Sequence, residues 1–277
     1  MVERLTWGRR YLLVEPRHFD VTYNINPWMR PGVDTAHANV QWQELAATLQ
    51  RLGADLEIGH DQVGLPDMAF AMNAGFVYGR TAVMSRFRHV ERQPEEPHWR
   101  AMLGGLGFDV VELAVERDVR FEAGDAFVVG GALLGGWGFR SDLAALTALG
   151  GSVGLPLVTL RMVDPRFYHL DTCFCPLRDG HALAFLDAFA AADRRALCEL
   201  VPHVIPLDKT EAATFVANSL VVGDSFVTAA CPPRVARELA RIDLDVHTVD
   251  LSEFHLSGGS ARCLTLPLDV LALGVSA

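Results

Sequence analysis

The sequence predicts an α/β fold made by radial repetition, with five small α/β blades around a common centre. Two observations predict it. Helical stretches alternate with short apolar, β-branched runs, a pattern of mixed α/β proteins and not of all-β ones. In addition, Asn73, Asp125, Asp171, Asn218 and Cys263 each follow or lie within such a run, at spacings of 52, 46, 47 and 45 residues. Most are followed by a hydrophobic stretch, a turn and a helix. Each unit can therefore offer one polar residue to a shared axis.

The elements follow in order. Tyr11–Val14 is a strand, and Thr35–Leu52 a helix stopped by Gly53. Phe76–Met84 is an extended apolar run. The turn Pro94-Glu95-Glu96-Pro97 leads into a helix over Glu96–Gly104, followed by strands at Val110–Leu113 and Ala126–Leu134. Ser141–Leu149 is a helix, the stretch from Gly150 to Pro156 a loop, and Leu157–Leu160 a strand. Helices over Gly180–Phe189 and Asp193–Val201 precede the strand Leu220–Val222. The helix Pro233–Ile242 and the strand Val246–Val249 complete the series. No linker or low-complexity segment divides the chain, so residues 1–277 read as a single catalytic domain.

Half of the 277 residues are hydrophobic and 21% are charged, which suffices for a large core. The net charge is −10, and basic residues are scattered, with only short doublets such as Arg9-Arg10 and Arg194-Arg195. Nucleic acid and anionic membrane are therefore not the expected partners. The longest apolar stretch, Ala126 to Phe139, is glycine-rich and shorter than the roughly 20 residues that span a bilayer. Met1-Val2-Glu3-Arg4-Leu5 lacks the apolar core of a secretory leader. Of the five cysteines, Cys173 and Cys175 stand too close for an ordinary disulfide. Reduced cysteines in the cytoplasm are the expectation.

Several islands carry chemistry. Cys263 lies in Gly258-Gly259-Ser260-Ala261-Arg262-Cys263, where glycines allow close backbone approach and an adjacent cation lowers a thiol pKa. A plain buried cysteine is the competing reading. His169 and Asp171, in His169-Leu170-Asp171-Thr172, share a face if the segment is extended; they suit an acid/base and a cation partner, or else a capping turn. Glu122 and Asp125, in Phe121-Glu122-Ala123-Gly124-Asp125, can orient a histidine and hold a guanidinium, or form an ordinary acidic turn. Asn73 is a polar amide in an apolar run. Arg92 and Arg140 can receive a carboxylate, whereas Arg86 and Arg88 read as a solvated basic face. His169, Asp171, Cys173 and Cys175 would line one face of a strand, but no second Cys/His cluster at zinc spacing accompanies them, so no metal is expected. There is no P-loop, no GxGxxG and no GxSxG elbow.

Taken together, Asn73, Glu122-x-x-Asp125, His169-x-Asp171 and Gly-Gly-x-x-x-Cys263 resemble the guanidino-group-modifying superfamily of arginine deiminases, dimethylarginine dimethylaminohydrolases and amidinotransferases. Tyr23-Asn24-Ile25-Asn26-Pro27-Trp28-Met29, Leu65-Pro66-Asp67 and the segment from His169 to Leu177 resemble its arginine dihydrolase branch. The resemblance implies a five-bladed α/β propeller, or pentein, and cofactor-free cysteine hydrolysis of a small guanidino substrate. It implies Cys263 as nucleophile, His169 as acid/base and Glu122 as its orienting partner. Asn73, Asp171, Asp125 and Asn26 would contact the substrate, with Arg92 and, less directly, Arg140 on its α-carboxylate. Dihydrolases are often fused to a further C-terminal domain, and the chain stops soon after Cys263, so that domain's function is not expected. Dimethylarginine hydrolysis, deimination, amidinotransfer and a non-catalytic binding role stand as alternatives. Homo-oligomerisation is left open.

Overall fold

A computed structural model describes residues 8–178 and 180–271. The expectation for Met1–Leu5 lies outside them. Five three-stranded sheets account for all the strands among the described residues. The first sheet takes β1 (Arg10–Glu15), follows it with helix α1 (Thr35–Arg51), and adds β2 (Asp55–His60) parallel to β1. The second contains β3 (Gly75–Tyr78) and β4 (Thr81–Met84), then α2 (Glu96–Gly105) and β5 (Asp109–Val111). The third contains β6 (Ala126–Val129), β7 (Ala132–Trp137), α3 (Leu143–Val153) and β8 (Leu157–Arg161). The fourth contains β9 (Phe174–Pro176), β10 (His181–Ala184), α4 (Ala191–Leu200) and β11 (His203–Pro206). A short helix, α5 (Lys209–Ala212), leads to β12 (Leu220–Val222), β13 (Ser225–Thr228), α6 (Pro233–Ala240) and β14 (Asp245–Thr248). After α7 (Ser252–His255), β15 (Leu266–Pro267) returns to pair antiparallel with β1. In every sheet the middle strand is antiparallel to one neighbour and parallel to the other.

Local chemistry explains these elements. Asp34 caps α1 by accepting the His37 N–H, and Ala38, Trp42, Leu45 and Leu49 supply its buried stripe. Gly53, with φ +86°, ends it as the sequence suggests. The runs Phe76–Met84 and Ala126–Leu134 are each a hairpin, not one strand. In the second hairpin Gly130 and Gly131 both have positive φ, the requirement of a two-residue type I′ turn. The segment Gly180–Phe189 is not a helix. Its Ala182, Leu183 and Ala184 are fully buried and paired on both edges as β10, so tertiary pairing overrides helical propensity.

The five residues of the repeat stand one to three residues before β3, β6, β9, β12 and β15, the strands that pair antiparallel with the middle strands of their sheets, and all are buried. Each makes a hydrogen bond to another unit. Gly124 N–H donates to Asn73 Oδ1 at 3.0 Å, and Leu170 N–H to Asp125 Oδ1 at 2.9 Å. Asn218 Nδ2 donates to the Asp171 carbonyl at 2.9 Å and Cys263 N–H to Asn218 Oδ1 at 3.2 Å. Met72 N–H donates to the Cys263 carbonyl at 3.0 Å. The apolar core lies between these turns and the helices, with large clusters around Phe127 and Phe174 and around Phe19, Phe70 and Phe254.

Candidate active site

Three turns of 3-10 helix, Ala71–Asn73, Ala123–Asp125 and Leu170–Thr172, carry Asn73, Asp125 and Asp171, and the first of them contributes Asn73 to a recess. Because 170–172 is such a turn, His169, Asp171, Cys173 and Cys175 do not alternate along one strand face. The recess, about 260 Å³, is lined by Asn26, Asn73, Arg92, Arg140, His169 and Cys263 among the residues singled out from sequence. The loop bearing Cys263 approaches closely because Gly259 has no side chain. A Cβ there would lie 2.3 Å from the Phe70 ring.

Glu122, in extended backbone just before its turn, is the hub of a buried charge network. Its Oε2 meets His169 Nε2 at 2.8 Å and Arg140 Nη1 at 3.0 Å, and Oε1 accepts the Arg88 N–H at 3.1 Å. Burial alone would raise the Glu122 pKa, but Arg140 and His169 hold it well below the usual carboxylate range. Burial lowers the His169 pKa to about 4 against the pull of Glu122, so the unliganded imidazole is neutral. Its Nε2–H points to Glu122, which leaves Nδ1 for a ligand.

Cys263 Sγ lies 3.4 Å from Asp171 Oδ2 and accepts Asn218 Nδ2–H at 3.1 Å. Burial, reinforced by Asp171, pushes the thiol pKa well up. Asp171 is pushed up to about 7 by burial, with Arg262 opposing. Between its ordinary 3.8 and about 7 the folded protein keeps a proton that the unfolded chain has lost, so this group's contribution falls as pH rises. His169 acts oppositely, its contribution rising with pH between about 4 and 6.5. Asp171→Asn should therefore gain stability over the parent with rising pH, by on the order of 3–4 kcal/mol between about pH 4 and about pH 8. Urea melts across that range check it, and a constant gap would show that Asp171 is not desolvated.

Arg92 lines the recess, yet its Nε and Nη2 grip Glu95 at 2.8 Å each and its guanidinium lies over Phe87. Arg140 Nη2 holds the Ile25 carbonyl at 2.9 Å, and its guanidinium lies over Tyr168. Asn26 Nδ2 donates to the Ser257 carbonyl at 3.0 Å. Neither Glu122 nor Asp171 lines the recess, and Asp125 is off its wall too. It spends Oδ1 on Leu170, and its pKa is raised by burial. Arg86 and Arg88 bind loop carbonyls and Asp142 away from the recess. Sequence reasoning quoted Asp67 only within a motif and gave it no site role, although it takes the Tyr23 and Ser257 hydroxyls, and it did not single out Tyr168, whose hydroxyl donates to the Gly258 carbonyl. Asn218 was visible only as a member of the repeat, where its spacing was the signal.

A thiol beside a carboxylate, facing a histidine held by a second carboxylate, is equipped for nucleophilic attack with proton transfer. Residues 31–270 match the family described as N,N dimethylarginine dimethylhydrolase, eukaryotic. The chain belongs to this family. As a member of the dimethylarginine dimethylhydrolase family, within the guanidino-group-modifying superfamily and near its arginine dihydrolase branch, it has relatives of two kinds. It is 38% identical over 265 residues to the bifunctional arginine dihydrolase/ornithine cyclodeaminase ArgZ of Synechocystis sp., covering 93% of this chain and 37% of ArgZ. The chain thus spans little more than a third of that relative's length. It is 37% identical over 263 residues to an N(G),N(G)-dimethylarginine dimethylaminohydrolase of Mycobacterium tuberculosis, covering 94% of this chain and 86% of that one. A crystal structure of the ArgZ N-terminal domain bound to its substrate superposes with a TM-score of 0.92 at 37% identity, covering 95% of this chain and 99% of that one.

Proposed function

We propose that the protein hydrolyses the guanidino group of arginine through Cys263, as an arginine dihydrolase yielding ornithine, carbon dioxide and two ammonia. The observation that carries this is the recess itself, where Cys263 Sγ, held beside Asp171, shares a wall with His169. The reading treats the chain as one catalytic domain in the cytoplasm, with its sheets closed into a five-bladed propeller. The β15–β1 pairing and the hydrogen bonds between successive units support that closure.

The mechanism follows from the charges. The thiol is protonated in the empty site. A guanidinium bound against Asp171 adds a positive charge beside Sγ, keeps Asp171 ionised and lowers the thiol pKa. The thiol gives its proton to His169, and the thiolate attacks the guanidinium carbon. His169 protonates the departing ammonia, leaving an amidino-thioether on Cys263, and then takes a proton from the attacking water. Glu122 stabilises the charged imidazole. Arg92 and Arg140 supply positive charge for the α-carboxylate. Citrulline formed in this way keeps an acceptor oxygen on its ureido carbon. Asn73 Oδ1 is engaged by Gly124 N–H, so the amide presents Nδ2–H donors to the recess. A donor can hold that oxygen for a second attack.

The coverage of the Mycobacterium tuberculosis relative favours dimethylarginine hydrolysis as a second reading. Parallel assays with arginine, dimethylarginine, agmatine and citrulline decide between them. Ornithine from both arginine and added citrulline is expected. Citrulline as sole product, with added citrulline untouched, removes the dihydrolase reading. Dimethylamine release from dimethylarginine outpacing arginine turnover selects the second.

A further inference from the structure

The sulfur of Cys263 is held by a residue that none of the roles above uses. Asn218 is fully buried two residues before β12. Its Nδ2 donates one hydrogen to the Asp171 carbonyl at 2.9 Å and another to Cys263 Sγ at 3.1 Å. Its Oδ1 accepts the backbone N–H groups of Ser260 at 2.8 Å and of Cys263 at 3.2 Å. Both faces of the amide are thus in use, one toward the segment of Asp171 and one toward the nucleophile loop. Burying an amide is unfavourable unless its bonds are made, so filling space alone would call for an apolar residue here.

The bond to sulfur changes strength along the reaction. Toward a neutral thiol, N–H to sulfur is weak. Toward a thiolate it becomes charge-assisted, roughly twice as strong as a neutral hydrogen bond. It therefore favours the reacting form over the resting one. Asp171, on the other side of Sγ, does the opposite by accepting the S–H and repelling the thiolate. Arg262, next in sequence, and Tyr168 and His169 in the recess complete the titratable surroundings of the sulfur.

We propose that Asn218 is a catalytic residue that donates a hydrogen bond to the Cys263 thiolate and, through the Ser260 and Cys263 amides, fixes the loop that carries it. The proposal rests on Cys263 being the nucleophile. Its action would set the thiol's readiness before and during attack, whichever guanidino substrate is bound.

The test is the pH dependence of Cys263 alkylation by iodoacetamide in the substrate-free enzyme, measured beside steady-state kinetics. Asn218→Ala removes the donor. Asn218→Asp retains the shape and the acceptor but replaces the donor with a carboxylate oxygen. Both should move the alkylation profile up by about one to two pH units and lower kcat by roughly 10- to 100-fold with KM little changed, the loss of one hydrogen bond to a charged group. A folded variant with a lower melting temperature but an unmoved alkylation profile overturns the proposal, because a structural role alone would do that. The wild-type protein gives a reading that needs no variant. The Asn218 side-chain amide resonance should shift as Cys263 ionises, and indifference to that ionisation equally overturns the assignment. Cys263→Ser separates the two readings: if it retains turnover, the nucleophile assignment fails; if it is inactive while the Asn218 variants keep the wild-type profile, only this proposal fails.

Discussion

Replacement of Cys263 by serine is expected to lower arginine turnover by roughly 10⁴-fold or more, on the scale of losing a covalent nucleophile. The substitution changes the reacting atom and little else. Cys263 is 2% exposed, and its backbone N–H and carbonyl keep their bonds to Asn218 and Met72 whatever the side chain. The melting temperature should hold, and so should arginine affinity, because Asp171, Asn73, Arg92 and Arg140 are untouched. A serine hydroxyl has a far higher pKa than a thiol, and a bound guanidinium cannot lower it enough to form the alkoxide. Calorimetric binding and single-turnover product analysis on the same preparation check both halves. Turnover within about tenfold of the parent would remove covalent catalysis at this residue.

Asn73→Asp is expected to change the product instead of stopping the reaction. Arginine's guanidinium has only donors, whereas citrulline's ureido group has an accepting oxygen. Asn73 offers Nδ2–H because Gly124 N–H occupies Oδ1. A carboxylate at 73 would hold the guanidinium at least as well, but would face the ureido oxygen with a second negative charge beside Asp171. Loss of that hydrogen bond and the added repulsion should shift commitment of bound citrulline by roughly 10- to 100-fold. Citrulline should then replace ornithine as main product, with ammonia falling from two per arginine toward one. Amino-acid analysis with an ammonia balance measures both. Ornithine as the unchanged product would remove Asn73 from product control.

The repeat was legible because its signal is periodic. Asn73, Asp125, Asp171, Asn218 and Cys263 each lead into the strand that pairs antiparallel with the middle strand of a sheet, as their spacing implied. Helix α1 was legible from its stripe and stop. The hairpins at Phe76–Met84 and Ala126–Leu134 were not, because strands buried on both faces give a continuous apolar run with no alternation. β10 was hidden for the same reason, its alanines and leucine suiting a helix until β9 and β11 took its edges.

The sequence alone therefore determined which residues are the candidates for nucleophile, acid/base and carboxylate partners, since residue type sets what chemistry a group can do. Tertiary structure decided what each group does at rest. It kept Asp125 off the recess, tied Glu122 to His169 and Arg140 together, and placed Asn218 against the sulfur. It also set the charge states, holding His169 neutral, raising Asp171 to about 7 and keeping Cys263 protonated. These depend on desolvation and on partners distant in the chain, such as Glu122, 47 residues from His169, and Asp171, 92 residues from Cys263, which act only when folding removes water and brings them within hydrogen-bonding distance.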